Sequence, residues 1–392
     1  MRISTPLVLA AAIALVGCTR VKEPPAKKTA LQVNAEGCLP GATRRGAAPP
    51  AGNEQYCALT GNDGAEVRHG AWTQWFDSGK KDMSGQYLEG KKHGVWREWH
   101  DSGQLKTEER YDKDLKHGKE QEWFKGGRVK ATRHWKGGKL HGQEEAFHHN
   151  GKKARRGRYE AGQRVGPWQE WHDNGVKQAA GKYKGGVYDG VGRDWHANGK
   201  PRTEQHWKGG KLHGTYLQWH EDGKPQTRGA HTAGARSGPW ITWYNSGKKE
   251  SEGTYEGGEK HGEWRTWFDN GKAKLQGSYE AGKRHGPWKE WYDSGKPRRF
   301  NAFHQGRPHG AAVSWYDNGK KSAEGTWIMG KLHGPVGQWY RDGKLRSKGA
   351  FKKGVKIGKW TVRISGKVKT VDHQDGKDSR PIPGLVGSQC KQ

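Results

Sequence analysis

The sequence predicts an all-β fold: an elongated single-sheet solenoid of tandem antiparallel β-hairpins, with a 24-residue repeat and about 13 units. Three observations predict it. Glycine recurs every 24 residues from Gly70 to Gly358 without insertion or deletion, all 21 tryptophans fall at three positions of that cycle, and further glycines recur at its turns. A strict period of this length is typical of a stacked array in which each repeat contacts its neighbours.

Each unit is predicted to contain two short strands joined by a glycine turn. In the unit that starts at Gly286, residues 287–292 are β-prone, and residues 293–296 form a turn whose glycine recurs in twelve units. A glycine at this place favours a backbone with positive φ. A second strand leads to an aromatic residue 17 positions after Gly286, and another glycine turn follows. A helix is not expected, because each glycine costs about 1 kcal/mol in a helix.

The tryptophans are predicted to form a structural aromatic ladder. If the recurring glycine is position 0, they occupy positions +2, +5 and +17 of the units. The predicted members of the ladder are Trp72, Trp75, Trp96, Trp99, Trp168, Trp171, Trp240, Trp243, Trp264, Trp267, Trp288 and Trp291. Positions +2 and +5 differ in parity, so they point to opposite faces of the sheet unless a bulge intervenes. The sequence leaves this question open.

The composition excludes a large aliphatic core. Only 31% of the residues are hydrophobic, whereas Gly numbers 62, so aromatic rings must supply most of the apolar burial. The formal net charge of +30 favours acidic partners such as nucleic acid, anionic lipid or phosphorylated glycan. The basic residues are spread over every unit, which favours the simpler interpretation that they form a solvated surface.

The N-terminus has the features of an exported lipoprotein. Arg2 precedes an apolar run over residues 7–16, and the following Leu15-Val16-Gly17-Cys18 resembles a bacterial lipobox. We therefore expect a signal peptide over residues 1–17, lipidation of Cys18, and a flexible tether over residues 18–37. An ordinary secretory signal is the alternative. The apolar run is too short for a membrane-spanning helix.

Export implies an oxidising compartment, in which Cys38 and Cys57 are expected to form a disulfide. That bond would hold together an N-terminal cap over residues 38–65. The repeat array is expected over residues 66–361, and a closing strand with a disordered tail over residues 362–392. The state of Cys390, whether free or paired between chains, stays open.

The unit residues resemble those of a known family, the bacterial variant of the MORN repeat. Its core appears here as Gly258-Glu259-Lys260-His261-Gly262-Glu263-Trp264-Arg265-Thr266-Trp267-Phe268-Asp269-Asn270-Gly271-Lys272. The resemblance recurs over about three quarters of the chain. It implies an elongated hairpin sheet without catalysis, in proteins that serve as scaffolds, as membrane-associated assemblies or as proposed antitoxin components. Several units depart from the pattern at position +2, which puts a strictly periodic ligand site in doubt: Glu120, Glu144, Gly192, Ala312 and Val336.

Histidines recur at two positions, and neither set indicates a metal site. The column at position −1 contains His69, His93, His117, His141, His213, His261, His285, His309 and His333. Successive members are two strands, or roughly 9–10 Å, apart, which is too far to share one zinc ion. A second set, His100, His148, His172, His196 and His220, lies at position +6 and alternates with Tyr and Phe, which suggests packing. Phosphate-binding loops and nucleophile elbows are absent from the sequence, so we expect no catalytic residues, no metal and no cofactor.

These features predict a non-catalytic cell-envelope lipoprotein that acts as a repeat scaffold for protein–protein interaction or assembly. Its expected location is the bacterial cell envelope, lipid-anchored, with the outer membrane favoured over the inner. Two alternatives are binding of an anionic envelope glycan or phospholipid through aromatic and basic rows, and an exported toxin-immunity or antitoxin-like role. Expected partners are the membrane, through the N-terminal lipid, and an unknown protein or a second copy of the chain; nucleic acid is not expected. Rings packed against each other would favour the scaffold, and solvent-facing rings the glycan.

Overall fold

The computed structural model describes residues 32–373, 382 and 384–385 of the chain. These residues form one long, open antiparallel sheet of 32 strands, and the described ranges contain no helix. The prediction of an all-β hairpin array is therefore confirmed. No described helix has the length and apolar character needed to cross a bilayer.

Consecutive strands pair antiparallel along the whole described chain. The strands are β1 Thr43–Ala47, β2 Glu54–Thr60, β3 Glu66–Trp75, β4 Lys81–Leu88, β5 Lys91–Trp99, β6 Leu105–Asp112, β7 Leu115–Lys116, β8 Gly118–Trp123, β9 Val129–Lys136, β10 Lys139–Leu140, β11 Gly142–Phe147, β12 Lys153–Glu160, β13 Gln163–Trp171, β14 Lys177–Lys184, β15 Val187–Tyr188, β16 Gly190–Trp195, β17 Pro201–Lys208, β18 Lys211–Trp219, β19 Pro225–Thr232, β20 Ala235–Trp243, β21 Lys249–Glu256, β22 Glu259–Trp267, β23 Ala273–Glu280, β24 Lys283–Trp291, β25 Pro297–His304, β26 Arg307–Trp315, β27 Lys321–Ile328, β28 Lys331–Leu332, β29 Gly334–Trp339, β30 Leu345–Lys352, β31 Val355–Ile364 and β32 Lys367–His373.

The strand count within residues 32–373 agrees with thirteen two-stranded units. The two-residue strands β7, β10, β15 and β28 each continue directly into the next strand after one residue. If each is counted with its successor, and β1 and β2 are set aside as parts of the cap, 26 strands remain. Thirteen hairpins predict this number.

The Asn-Gly-Lys turn ties each hairpin to the next one. In the turn after β22, Asn270 Oδ1 accepts a hydrogen bond from the Lys272 backbone N–H at 2.9 Å. The Asn270 amide donates to the Asp293 carbonyl at 2.7 Å, and Lys272 Nζ donates to the Ser294 carbonyl at 2.8 Å. Gly271 between them has φ of 86°, a conformation that favours glycine. The recurring motif therefore has a second role beyond chain reversal, since it bonds successive turns into a row.

A glycine column at position +15 accommodates the indoles at position +2 of the next unit. A Cβ atom built on Gly253 would lie 2.2 Å from the Trp264 ring, and one built on Gly157 would lie 2.1 Å from the Trp168 ring. The Trp264 indole donates its N–H to the Thr254 carbonyl at 3.2 Å, which holds the ring flat against this backbone. Where position +15 is not glycine, the next position +2 is not tryptophan: Glu109 with Glu120, Arg133 with Glu144, Gln205 with Tyr216, and Asn301 with Ala312.

A disulfide-linked cap covers the first hairpin. Cys38 and Cys57 are bonded with an S–S distance of 2.07 Å, which confirms the predicted disulfide. Both cysteines are buried with Ala42, and Leu59 packs against them. Strand β2 pairs with β1 on one side and with β3 on the other, so the cap continues the sheet. Cys18, the signal peptide, most of the tether, and Cys390 lie outside the described residues.

The C-terminal end of the array carries a closing hairpin and a buried part of the tail. Strands β31 and β32 pair around the turn at Ser365 and Gly366. Within the segment predicted as a tail, Ile382 and Leu385 are only 3% and 2% exposed. They pack in one cluster with the side chains at two units that lack a position +2 aromatic, namely Ala312, Ala323, Leu332 and Val336. The sequence missed this contact because the tail has no repeat to align with the array.

We predict that Gly253→Ala destabilises the array by about 1–3 kcal/mol, because the new methyl group overlaps the Trp264 ring and forces indole or backbone to move. The measurement is the urea unfolding midpoint, followed by tryptophan fluorescence. Gly192→Ala is the matched control, since its nearest contact would be 3.3 Å away, at the Trp207 ring. Equal losses from the two substitutions would contradict the proposed role of the position +15 glycine.

Candidate binding face

The position +2 and position +5 rings lie on opposite faces of the sheet. They are three residues apart on one strand, and side chains alternate along a strand. A Cβ atom on Gly337, at position +3, would lie 2.4 Å from the Trp339 ring at position +5, so this ring covers the +3 side. We name the side with the position +2 rings the ladder face and the other side the opposite face. The question that the sequence left open is thus answered: the predicted aromatic ladder consists of two separate rows.

The ladder face is built from rings that pack on each other. The tryptophans at position +2 are 2–6% exposed. Each contacts aromatic residues at position +17, as where Tyr255 meets Trp264 at 5.1 Å and Trp264 meets Tyr279 at 6.1 Å. Both pairs are edge-on, the geometry that aromatic quadrupoles favour. The predicted members on this face are Trp72, Trp96, Trp168, Trp240, Trp264 and Trp288.

The opposite face carries the half-buried rings of position +5. There a lysine at position +11 lies above the ring of the next unit: Lys249 Nζ is 5.9 Å from the Trp267 ring centre, and Lys177 Nζ is 5.5 Å from that of Trp195. The predicted members of this row are Trp75, Trp99, Trp171, Trp243, Trp267 and Trp291. These rings lie on the face opposite to the position +2 rings because side chains alternate along a strand. The extra residue of the nearby register shift is on the partner strand, since Thr266 pairs with Leu275 and Trp267 with Ala273.

A column of cations at position −2 covers the rings of the ladder face. Lys260 Nζ is 4.3 Å from the Trp264 ring centre and 5.2 Å from that of Tyr279. Arg236 and Arg284 lie 4.7 and 4.5 Å from the position +2 rings of their own units. Cation–π attraction stabilises this arrangement. Sequence reasoning missed the column, although the recurrence of Lys or Arg two residues before the glycine was a visible signal.

A groove with a volume of about 790 Å³ lies on the ladder face between Leu212 and Phe303. Its lining combines the position −2 cations and position +2 rings with hydroxyl groups of Thr242, Ser251 and Thr266. The rings beneath it form an unbroken series of contacts from Tyr216 to Phe303. This groove, defined by units 214 to 286, is the candidate site.

Buried ion pairs replace the rings in the units at Gly118 and Gly142. Glu120 and Glu144 stand at position +2, and Arg133 Nη1 contacts Glu120 at 2.7 Å while its Nε contacts Glu144 at 3.2 Å. Arg155 Nη2 adds a bond of 2.8 Å to Glu144. Burial by itself lowers the pKa of Arg133, but its bonds to Glu120 and Glu144 raise the pKa above the usual value. The carboxylates are therefore structural partners of arginine.

Histidines at position −1 bond to the second turn in the units of His69, His213, His309 and His333. His69 Nδ1 accepts a hydrogen bond from the Glu89 backbone N–H at 3.2 Å, and His309 Nδ1 accepts one from Met329 at 3.3 Å. Glu89 and Met329 have φ of 52° and 48°, so the bond stabilises a left-handed turn residue. Among the residues that the structure describes, no group of three His, Cys, Asp or Glu side chains has the geometry of a metal site.

The His and Tyr side chains at position +6 form hydrogen bonds between units, in addition to the packing that we predicted. Phe76, Phe124 and Phe268 at the same position have no donor and can only pack. His172 Nε2 donates to the Trp195 carbonyl at 3.1 Å, and Tyr244 donates its hydroxyl to the Trp267 carbonyl at 2.8 Å. The two acceptors occupy the same position in their units. The exchange of His and Tyr at this position therefore conserves a donor group, which packing alone does not explain.

Part of the array is similar to a known repeat family. Five segments match the MORN repeat variant. The matches cover residues 92–113, 212–229, 236–256, 260–281 and 284–299, and each begins at position −2 of a unit. Four of them lie across the candidate groove. MORN repeats support a repeat scaffold for binding or interaction.

Solved structures add no argument beyond this match. The crystal structures of TcdB2-TccC3, of TcdB2-TccC3-Cdc42, and of TcdB2-TccC3 without its hypervariable C-terminal region are 13%, 12% and 13% identical to this chain. The alignments cover 76% of this chain but only 18% of those chains, with a TM-score of 0.16 in each case. A likeness this low supports no statement about fold or function. No curated protein matches the chain.

We predict that His172→Phe lowers the free energy of unfolding by about 0.5–1.5 kcal/mol, because the Trp195 carbonyl loses its donor. His172→Tyr is the matched control and is expected to leave stability unchanged, since Tyr244 makes the same bond elsewhere in the array. Chemical denaturation of both variants provides the measurement. If the Tyr variant were as unstable as the Phe variant, the hydrogen bond would not explain why His and Tyr occupy position +6.

Proposed function

We propose that the chain is a non-catalytic scaffold of the bacterial cell envelope that binds protein partners through its ladder face. The observation that carries the proposal is the burial of the position +2 rings, which are 2–6% exposed and pack on their neighbours. Rings in this arrangement build a rigid surface and do not offer free faces to a sugar ring. The groove between Leu212 and Phe303 supplies the contact area on this surface.

A scaffold role is also supported by how the polar side chains are used. Recurring histidines such as His69 and His172 bond to backbone groups, and Glu120 and Glu144 bond to arginine, so these residues have structural partners. Catalytic acid–base groups need access to a substrate and pKa values matched to their task. The described parts of the array concentrate such groups in turns and ion pairs instead. The MORN repeat match favours the same class of protein.

The envelope location rests on the N-terminal sequence. A lipobox ending at Cys18 would attach lipid chains to the first residue of the mature protein, and residues 19–37 would separate the sheet from the membrane. The disulfide between Cys38 and Cys57 supports an oxidising compartment. An exported immunity protein is compatible with the same features, because it too would be a binding scaffold outside the cytoplasm.

We predict that radiolabelled palmitate is incorporated into the wild-type chain in bacterial cells and is absent from a Cys18→Ser variant. The reason is that the lipobox cysteine is the acceptor of the acyl chains. Gel autoradiography after immunoprecipitation measures the label, and Cys390→Ser is the control that keeps Cys18. A wild-type chain without label, or equal label in the Cys18→Ser variant, would remove the anchoring part of the proposal.

We predict that the purified full chain captures envelope proteins in preference to envelope polysaccharide. The comparison uses immobilised chain, detergent-solubilised envelope proteins and purified polysaccharide from the same cells, with mass spectrometry and sugar analysis of the eluates. Cys18→Ser serves as the bait so that the lipid itself captures nothing. Retention of polysaccharide without any specific protein would contradict the scaffold and favour the glycan alternative.

A further inference from the structure

Three successive cations along the groove lack carboxylate partners. Arg236, Lys260 and Arg284 occupy position −2 of consecutive units. Within residues 32–373, no Asp or Glu oxygen lies within 4.0 Å of their charged nitrogens. At some units outside the groove the cation of this position is paired: Arg68 contacts Glu54 at 2.7 Å and Arg164 contacts Glu170 at 3.6 Å. Lys92, by contrast, lies over the Trp96 ring as the groove cations lie over theirs. The groove therefore has a row of positive charge that the protein itself does not neutralise.

This row carries an electrostatic cost in the absence of a partner. Burial, followed by the like charges of Arg284 and Arg236, lowers the pKa of Lys260. A depressed lysine pKa means that the fold disfavours the charged form relative to the unfolded chain. An anionic partner lying along the groove would relieve this cost, since it would place opposite charge beside all three cations.

The geometry of the row defines the spacing of the complementary charges. Equivalent residues of consecutive units are two strands apart, which corresponds to about 9.6 Å across an antiparallel sheet. A polyproline II chain rises about 3.1 Å per residue with three residues per turn, so every third side chain points the same way at intervals of about 9.3 Å. In a β-strand, side chains three residues apart point to opposite sides, so they cannot all meet one row of cations.

The covered rings decide between a polypeptide and a sugar polymer. Carbohydrate recognition by aromatic residues needs an open ring face, but Trp240, Trp264 and Trp288 are nearly buried, and the position −2 cations lie over them. A partner in the groove therefore meets the position −2 cations and the hydroxyls of Thr242 and Thr266. Two carboxylates, Glu250 and Glu290, also line the groove, and Glu290 is paired with Arg298 and Arg299. Guanidinium groups bind carboxylates through two parallel hydrogen bonds, and hydroxyls can bond a peptide backbone.

The ladder face already accepts a segment of polypeptide next to this groove. Ile382 and Leu385 are buried against Ala312 and Val336, in the units that directly follow the groove. Leu385 donates its backbone N–H to the Ile382 carbonyl at 3.2 Å, so this tail segment forms a compact turn. The seat of the tail and the groove belong to one continuous face of the sheet.

We propose that the groove over units 214 to 286 binds an acidic polypeptide segment in the polyproline II conformation, with a carboxylate at every third residue facing Arg236, Lys260 and Arg284. This inference rests on the proposed scaffold function and specifies the chemistry of its partner. Recognition of polyproline II chains by aromatic-lined grooves is an established physical mode, because such chains lose little entropy on binding. Here the cations add selection for charge and for its spacing.

The test measures binding of three fluorescein-labelled, end-capped peptides to the full chain carrying Cys18→Ser, by fluorescence anisotropy at low salt. The peptides are Glu-Pro-Pro-Glu-Pro-Pro-Glu, Glu-Pro-Pro-Pro-Glu-Pro-Pro-Pro-Glu, and the first sequence with Gln in place of Glu. Only the first places its carboxylates at about 9.3 Å intervals on one side; the second places them about 12.4 Å apart and turned away from each other. We expect the first peptide to bind at least about 10-fold more tightly than the other two, as three surface ion pairs support.

Charge-removing variants assign the site. The triple variant Arg236→Met, Lys260→Met and Arg284→Met keeps long apolar side chains over the rings. We expect it to bind the first peptide at least about 10-fold more weakly than the unsubstituted groove does. Arg164→Met removes a cation of the same column outside the groove and is expected to leave binding unchanged. Thermal unfolding shows whether the variants fold. Lys260→Met alone is expected to retain or raise the unfolding midpoint, because it removes a desolvated charge.

The outcomes separate this proposal from the scaffold function. Equal binding of the two Glu peptides, absence of binding, or an unchanged affinity of the triple variant would overturn the polyproline II groove. Tighter binding of a carboxylated oligosaccharide such as alginate through the same three cations would overturn the polypeptide assignment. If envelope proteins were still captured by the triple variant, the scaffold function would stand and the groove would not be its binding site.

Discussion

The contact between an indole at position +2 and the glycine at position +15 of the preceding unit is the constraint on which the array depends. The Trp264 ring lies where any side chain on Gly253 would stand, and the same pair recurs at Gly157 and Trp168. Burial of one indole contributes about 5 kcal/mol of hydrophobic stabilisation by area, which one hairpin cannot obtain by itself. Since half of each contact comes from the neighbouring unit, the stability of every hairpin depends on the next.

This constraint explains why every departure at position +15 is followed by a departure at the next position +2. A larger residue at position +15 excludes the ring, and the space is then filled in another way. In the units at Gly118 and Gly142, carboxylates and Arg133 fill it with a buried ion network. At Ala312, which follows Asn301, Ile382 and Leu385 of the tail fill it with apolar side chains, and the same two residues cover Val336 in the next unit, where the preceding position +15 is glycine. The ladder face is thus closely packed along the array, but the packed groups change from aromatic rings to ion pairs and to aliphatic side chains of the tail.

The turns and the position −2 cations have different roles. Hydrogen bonds at the turns connect successive units, and the cations lie on the ladder face. The Asn-Gly-Lys turns bond to each other through side chains such as Asn270 and Lys272, and the position +6 donors such as His172 bond to the next strand. These bonds fix the separation of the units without occupying the ladder face. The position −2 cations are therefore presented at regular intervals by a rigid support, which is the property that a scaffold requires.

The sequence by itself determined the all-β array, its thirteen hairpins and the disulfide, because each depends on local signals. A fixed 24-residue period, turn glycines such as Gly271, and two nearby cysteines in a segment outside the repeat all act over short distances. The two ring rows were recognisable as columns, but the parity argument left their faces undecided.

Only the tertiary structure decided which groups meet across units. It placed Trp264 against Gly253, Lys260 above Trp264 and the tail against Ala312, because these contacts depend on the register between neighbouring strands or on chain segments far apart in sequence. Shifts in the pairing register of adjacent strands, as between Glu252 and Thr254, determine which side chains become neighbours. Such shifts cannot be recognised from the composition or from the 24-residue period. The aperiodic tail had no column to align with, so its seat on the ladder face appears only in three dimensions.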